Sequence, residues 1–248
     1  MTERLQAIYE PKGKAAEYAA YACNLYTGCT HRCVYCYAPA VLHVDRETFG
    51  AQCIERPGIL DKLRHDAKVI TARGDNPVLN DPVLFCFTSD PYQPDAHATR
   101  AALSIMREFD IPFSVLTKGA NADRDFDLYG NDDLFGMTLT LTNPADVRLW
   151  EPNAASPIRR LYLLKTAHEK GIHTWVSLEP VIDPAQTLRI IDLTHEYVEH
   201  YAVGKLNYHP LAKTIDWAQF LRDVLTKLKQ YGNSYYIKES LREYEVYP

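Results

Sequence analysis

The sequence predicts an α/β protein in which parallel β/α units form either an open sheet or a partial barrel. Short apolar runs, several of them β-branched or aromatic, alternate about six times with stretches whose apolar residues recur at spacings of three and four. The 248-residue length suits one large domain, and an eight-unit barrel would be cramped within it. The 46% of apolar residues can fill a core, and no repeat, low-complexity tract or Gly/Ser linker divides the chain. A single domain over 1–248 is therefore expected, with a core over about 9–208 and a helical and strand extension over about 209–248.

In chain order the strand-like runs are Tyr21 to Leu25, Pro82 to Thr88, Pro112 to Thr117, Phe135 to Thr142, His173 to Leu178 and Tyr201 to Val203. Their composition suits strands buried on both faces. Helices are expected over Ala98 to Phe109, Pro157 to Lys170, Ala185 to Glu199 and Trp217 to Tyr231, and Gly171 and Gly232 stand where helix stops belong. Ligands of such folds bind at the carboxyl ends of the strands, so functional residues should follow each run.

The net charge of -5 excludes the broad positive field on which non-specific nucleic-acid binding relies, though a local basic groove is compatible with it. No charge-free run reaches 18 residues, and Met1 to Lys14 is polar with mixed charge, so neither a membrane span nor a signal peptide is expected. The six cysteines lack an even framework spacing and three fall within eight residues. Reduced thiols in a cytoplasmic protein fit this better than a disulfide scaffold.

The strongest motif is Gly28-Cys29-Thr30-His31-Arg32-Cys33-Val34-Tyr35-Cys36-Tyr37, which sets three thiols at C-x3-C-x2-C spacing directly after the first strand-like run. A wrapped loop can aim such thiols at three corners of one metal cluster. Three protein ligands on a cubane leave one iron open to an exogenous ligand, whereas electron-transfer ferredoxins close every iron with protein. The rival readings are a structural zinc held by these cysteines with His31 or Cys23, and unrelated core cysteines. The sequence lacks the second C-x2-C pair usual in a zinc ribbon.

With its C-x3-C-x2-C loop after the first strand and the aromatic Tyr35 before the third cysteine, the sequence resembles the radical S-adenosylmethionine (SAM) superfamily. The resemblance implies a partial (β/α)6 radical SAM barrel. It also implies a 4Fe-4S cluster on Cys29, Cys33 and Cys36, whose open iron chelates SAM and delivers the electron that yields a 5'-deoxyadenosyl radical. Asn24 to Cys29 and Cys36-Tyr37-Ala38-Pro39 are similar to the spore photoproduct lyase or DNA repair photolyase-like group. So are Thr88 to Pro94, Leu116-Thr117-Lys118, and Trp150-Glu151-Pro152 with Arg159-Arg160. The resemblance covers roughly Tyr9 to Pro184, and Tyr236-Ile237-Lys238 is only suggestive.

Other site candidates follow the strands. By resemblance Ser89 contacts SAM and Asp90 adjoins it, the alternative for Asp90-Pro91 being turn chemistry. Lys118 is placed for the SAM carboxylate, against an ordinary solvated lysine. Tyr35 and Tyr37 flank the same loop. Thr138, Thr140 and Thr142 offer hydroxyls on one strand face, of which Thr140 is selected. Either Arg159 or Arg160 could pair with SAM or Glu151. Glu179 ends the fifth run, placed for substrate or the SAM ribose. Tyr92, Gln93, Trp150, Trp175 and Tyr208 could supply stacking surfaces, although buried aromatics are commoner than recognition platforms.

The expected activity is hydrogen abstraction from a substrate, with a nucleic-acid base as first candidate and a peptide or small metabolite as the rival. A zinc-stabilised module without catalysis is the rival from another class. An external one-electron donor of flavodoxin or ferredoxin type is implied. Spore photoproduct lyase carries a cysteine hydrogen donor immediately before its Thr-Ser-Asp element, and Phe87 stands there in this sequence. In an extended strand Cys86 would share a face with Thr88 and Asp90 and point away from the donor position, which makes it a packing residue.

Overall fold

The computed structural model describes residues 4–72 and 76–245. Ten strands form in chain order: β1 Ile8–Tyr9, β2 Ala22–Cys23, β3 Tyr26–Thr27, β4 Ile54–Glu55, β5 Val83–Phe85, β6 Phe113–Thr117, β7 Leu134–Thr138, β8 His173–Val181, β9 His200–Lys205 and β10 Ser234–Ile237. The α-helices are α1 Ala38–Val41, α2 Arg46–Ala51, α3 Ile59–Thr71, α4 Thr99–Glu108, α5 Pro144–Trp150, α6 Pro157–Glu169, α7 Pro184–Thr194, α8 Trp217–Tyr231 and α9 Glu239–Arg242. Eight strands make one sheet in the order β1-β2-β5-β6-β7-β8-β9-β10. All neighbours in it are parallel except β1 and β2. β1 and β10 do not pair, so the sheet is an open, partial barrel. The short antiparallel pair β3 and β4 flanks the cysteine loop.

Each of the six expected runs overlaps one strand, β2 and β5 to β9. Their lengths differ from expectation. β5 stops at Phe85 and β7 at Thr138, while β8 runs on to Val181. β10 pairs in register with β9, Ser234 opposite His200, so the stretch after 208 contributes a strand to the same sheet. Four helices outside the expected stretches, α1, α2, α3 and α5, also form.

Three helices, α5, α6 and α7, begin where a capping side chain precedes a proline whose missing N–H costs nothing. Ser156 Oγ accepts from Arg159 N ahead of Pro157, and Asp183 Oδ1 accepts from Gln186 N ahead of Pro184. Gly232, at φ 75°, closes α8 in the left-handed region that glycine tolerates. The outer face of the sheet packs on the helices through Phe85, Phe113, Val115, Phe135, Met137, Val176, Tyr201 and Val203 in one continuous core. The inner face is a separate cluster of Ala22, Leu84, Trp175 and Ala202 with Tyr18, Phe87 and Leu116 against it. Gly136 makes that filling possible, because a Cβ there would stand 2.8 Å from Trp175 Cδ2. The open seam is closed by the segment before β2. Lys238 Nζ donates to the Lys14 carbonyl at 2.7 Å, and Glu17 accepts from Glu239 N at 2.8 Å.

Candidate functional site

The cysteine loop leaves β3 at Gly28, whose φ of 81° suits glycine alone and where a Cβ would stand 3.0 Å from the Phe49 carbonyl. Cys29 N donates to that carbonyl at 3.0 Å, Cys36 N to Cys33 O at 3.1 Å, and Val34 N to Trp150 O at 2.8 Å. Arg46 donates to the Cys33 and Cys36 carbonyls, and Asn153 Nδ2 donates to Thr30 O. Gln93 clamps the loop from the other side. Its Oε1 accepts Thr30 N at 2.8 Å, while its Nε2 reaches Ser89 Oγ, the Asp90 carbonyl and, at 3.3 Å, the Gly28 carbonyl.

All three loop thiols are unbridged, Cys33 buried and Cys29 and Cys36 half-buried. Burial pushes the Cys29 thiol well above its ordinary value and Cys33 up to about 12, so both are neutral without a cation to hold the thiolate. Among the described residues no three His, Cys, Asp or Glu side chains gather round one point. Each thiolate on a cubane takes its own iron, and three thiols at C-x3-C-x2-C spacing in one loop suit that arrangement, so Cys29, Cys33 and Cys36 would hold a 4Fe-4S cluster.

Behind the loop, Glu151 is 1% exposed and receives Tyr35 Oη and Thr140 Oγ1, the latter at 2.9 Å, on Oε1. Its Oε2 pairs with Arg160 Nη2 at 2.5 Å, and Arg160 also donates to the Thr138 and Ala155 carbonyls. Burial would raise the Glu151 carboxyl, but the Arg160 and Lys118 charges and these hydrogen bonds hold it below its ordinary value. Beside it, Asp90 accepts Thr117 Oγ1 at 2.6 Å, Lys118 N at 2.7 Å and Tyr92 N at 2.8 Å. His31 Nδ1 lies 3.4 Å from Asp90 Oδ2 and has no other partner. Burial opposes ionisation of Asp90, yet His31, Lys118 and Thr117 hold it well below the usual carboxylate range.

These networks show where the expected residues sit. Tyr35, Thr140 and Arg160 gather round Glu151, one of the two partners expected for the arginines, because a buried carboxylate takes every donor in reach. Asp90 is a backbone organiser with its acceptors filled from within the chain. Ser89 Oγ, expected by resemblance to contact SAM, donates to the Gly28 carbonyl at 2.7 Å and so also closes the loop. Arg159 lies elsewhere, paired with Asp123 at 2.8 Å and donating to Ala120 O.

Lys118 is different. Its half-buried ammonium stands 6.0 Å from the Tyr35 ring with no carboxylate in ion-pair contact among the described residues. Burial would lower its pKa, but the neighbouring acidic groups, Cys33 first and then Glu151 and Asp90, outweigh that and raise it. Tyr37 is 49% exposed at the mouth and donates to the Phe87 carbonyl at 2.9 Å. Glu179 Oε2 accepts Tyr18 Oη at 2.6 Å and pairs with Lys238 at 3.3 Å, leaving Oε1 for another donor.

The stacking candidates divide. Tyr92 is buried with its hydroxyl on Asp125, Trp175 fills the sheet's inner face, and Trp150 packs on His209 at 4.9 Å. Of these candidates Tyr208 is the exposed one, at 96%, with the Lys14 ammonium 5.3 Å from its ring. The Cys86 reading needs a different reason, since β5 ends before strand alternation could reach it. Cys86 is nonetheless 5% exposed within the outer core, and Phe87 lies on the inner face, 6.3 Å from the Tyr18 ring.

No local pattern marks Arg46 or Tyr18, and the organising roles of Gln93 and Lys238 are not visible in the motifs that contain them, whereas the sequence marks Glu151 only as a partner for an arginine.

Among solved structures, spore photoproduct lyase with bound AdoMet and dinucleoside spore photoproduct matches at a TM-score of 0.70 and 16% identity, over 94% of this chain and 79% of that one. SuiB of Streptococcus suis bound to S-adenosylmethionine matches at 0.62 and 14%, over 86% and 45%. The fold is that of radical SAM enzymes. In sequence, an uncharacterized protein of Methanocaldococcus jannaschii is 26% identical over 198 residues, 76% of this chain and 71% of its own. One of Mycobacterium tuberculosis strain H37Rv is 26% identical over 175 residues, so this chain spans about half of that relative, 49%. No family model matches the chain. No helix among the described residues is long and apolar enough to cross a membrane.

Proposed function

We propose that the chain is a radical SAM enzyme that abstracts hydrogen from a substrate. The observation that carries the reading is a loop of three unbridged thiols at C-x3-C-x2-C spacing, on a fold shared with radical SAM enzymes, with the Lys118 ammonium 6.0 Å from the loop's Tyr35 ring and in no ion pair among the described residues. When bound, the cluster and SAM supply a 5'-deoxyadenosyl radical, with an electron from a flavodoxin or ferredoxin type donor. The chain's own residues bind and orient. Cys29, Cys33 and Cys36 hold the cluster, and Lys118 meets the SAM carboxylate. Gln93, Arg46 and the Glu151 network fix the loop, and the packed inner face excludes water.

A nucleic-acid base is the first substrate class, with photolyase-like lyase chemistry, and it draws on the lyase structure that holds a dinucleoside spore photoproduct. A peptide substrate draws on SuiB, whose structure is also described with its precursor peptide SuiA. Anaerobic reconstitution followed by deuterium transfer from labelled candidates into 5'-deoxyadenosine tests the activity and separates the two. Stoichiometric zinc without labile sulfide would replace the reading with a non-catalytic module.

A further inference from the structure

The short helix α2 grips the cysteine loop along its length. Its Phe49 carbonyl accepts Cys29 N, and its Gly50 carbonyl accepts Arg32 Nε at 3.1 Å. Gly50 also admits the Arg32 stem, because a Cβ there would stand 2.9 Å from Arg32 Cγ. The helix itself is capped by Asp45, whose Oδ2 accepts Thr48 N at 3.0 Å. At its first position Arg46 turns both terminal nitrogens onto the loop, Nη1 on the Cys33 carbonyl at 3.0 Å and Nη2 on the Cys36 carbonyl at 2.8 Å. Glu47 pairs with Arg32 at 3.6 Å, and Arg46 makes no ion pair among the described residues. Its fork therefore serves the loop alone.

We propose that Arg46 is a positioning residue for the iron–sulfur cluster, fixing the backbone of two of its three ligands so that the thiols keep their arrangement. The inference rests on the cluster reading above. A planar guanidinium can hold two carbonyls in one fixed relation, whereas an ammonium is a point donor that cannot reproduce the fork. Without the fork, the ligand-bearing turn regains backbone freedom that binding iron must then remove. Hydrogen-bond partners behind metal ligands commonly change metal affinity by 10 to 100-fold.

The test compares wild type, Arg46→Lys, Arg46→Met and Glu47→Gln, each as the full chain reconstituted anaerobically. Iron and labile sulfide per chain are measured, together with the rate of iron loss to a chelator. Iron loss should be about tenfold faster or more in Arg46→Met and also faster in Arg46→Lys, while Glu47→Gln keeps the wild-type rate. The thermal midpoint of the metal-free chain should not change, because the Arg46 side chain is exposed. If Arg46→Met does not fold, Arg46→Lys decides. Wild-type retention in Arg46→Lys and Arg46→Met overturns this proposal alone, and so does iron loss in Glu47→Gln as fast as in Arg46→Met. A wild-type chain that takes up no iron overturns the cluster reading with it.

Discussion

Glu151 and Arg160 close an ion pair at 2.5 Å with both side chains at most 1% exposed, directly behind the cysteine loop. Removing one partner leaves the other charged and desolvated, which costs about 3 to 5 kcal/mol. Glu151→Gln should therefore lower the unfolding free energy by that amount in denaturant titration. The double change Glu151→Leu with Arg160→Met should recover most of the loss, since well-packed apolar side chains replace buried pairs at little cost. A loss below about 1 kcal/mol in the single variant would mean that the pair is hydrated.

Alanine at Cys29, Cys33 or Cys36 should abolish the brown colour and the approximately four irons of anaerobically reconstituted protein. Alanine at Cys23, Cys53 or Cys86 should leave both, since those thiols lie outside the loop, Cys23 and Cys86 buried in the main core and Cys53 packed against it. Iron analysis of the six variants checks this. Retained iron in any of the first three would dismiss the assigned ligand set.

The parts of this molecule legible in its sequence are those governed by local pattern. Trp217–Tyr231 forms as a helix with the bounds its apolar spacing and Gly232 set, and each of the six apolar runs overlaps one barrel strand, with β2, β5 and β6 lying wholly inside theirs. Strand ends were less legible. β5 ends at Phe85 although apolar and β-branched residues continue, because Asn24 Oδ1 accepts the Phe87 and Thr88 N–H groups in place of a strand partner. The cysteine loop was legible because its chemistry demands a fixed spacing. Which donors remain free was not, because Ser89, Thr140 and Arg160 find their acceptors across tertiary contacts that no local pattern encodes.

Lys118→Ala should weaken SAM binding by about 1.5 to 3 kcal/mol, the range of a charged hydrogen bond lost from a partly desolvated site. The ammonium has no ion-pair partner among the described residues, so its removal leaves no buried carboxylate newly exposed to imbalance beyond Asp90 and Glu151, both held by other donors. Equilibrium binding to the reconstituted protein measures the effect. Unchanged affinity would remove Lys118 from the SAM site.

Acid should destabilise the metal-free chain through Asp90 and Glu151. Both carboxyls are held below their unfolded values in the folded state. Their stabilisation is complete above the unfolded values near 4 and is lost as pH falls towards the folded ones. Asp133, raised by burial, works in the opposite sense. Denaturant titrations between about pH 6 and 3 should show stability falling with pH, and Asp90→Asn should flatten the slope. An unchanged slope in that variant would mean that Asp90 ionises alike in both states.

The chain should not repair the spore thymine lesion. Phe87 occupies the place where the lyase resemblance puts a cysteine hydrogen donor, and its ring lies on the sheet's inner face against Tyr18. Cys86 lies on the other side, buried in the core that faces the helices, where burial pushes its thiol up to about 12. A donor must reach the substrate radical, and a thiol enclosed by that core has no path to the mouth. Reduced, reconstituted enzyme with SAM and lesion-containing DNA should release no thymine, and Cys86→Ala should behave as wild type. Thymine release by wild type that vanishes in Cys86→Ala would restore the lyase reaction and give Cys86 the donor role. Release that survives in the variant would place the donor at another residue of the inner face, with Tyr18 the first to replace by phenylalanine because its hydroxyl lies 2.6 Å from Glu179 Oε2.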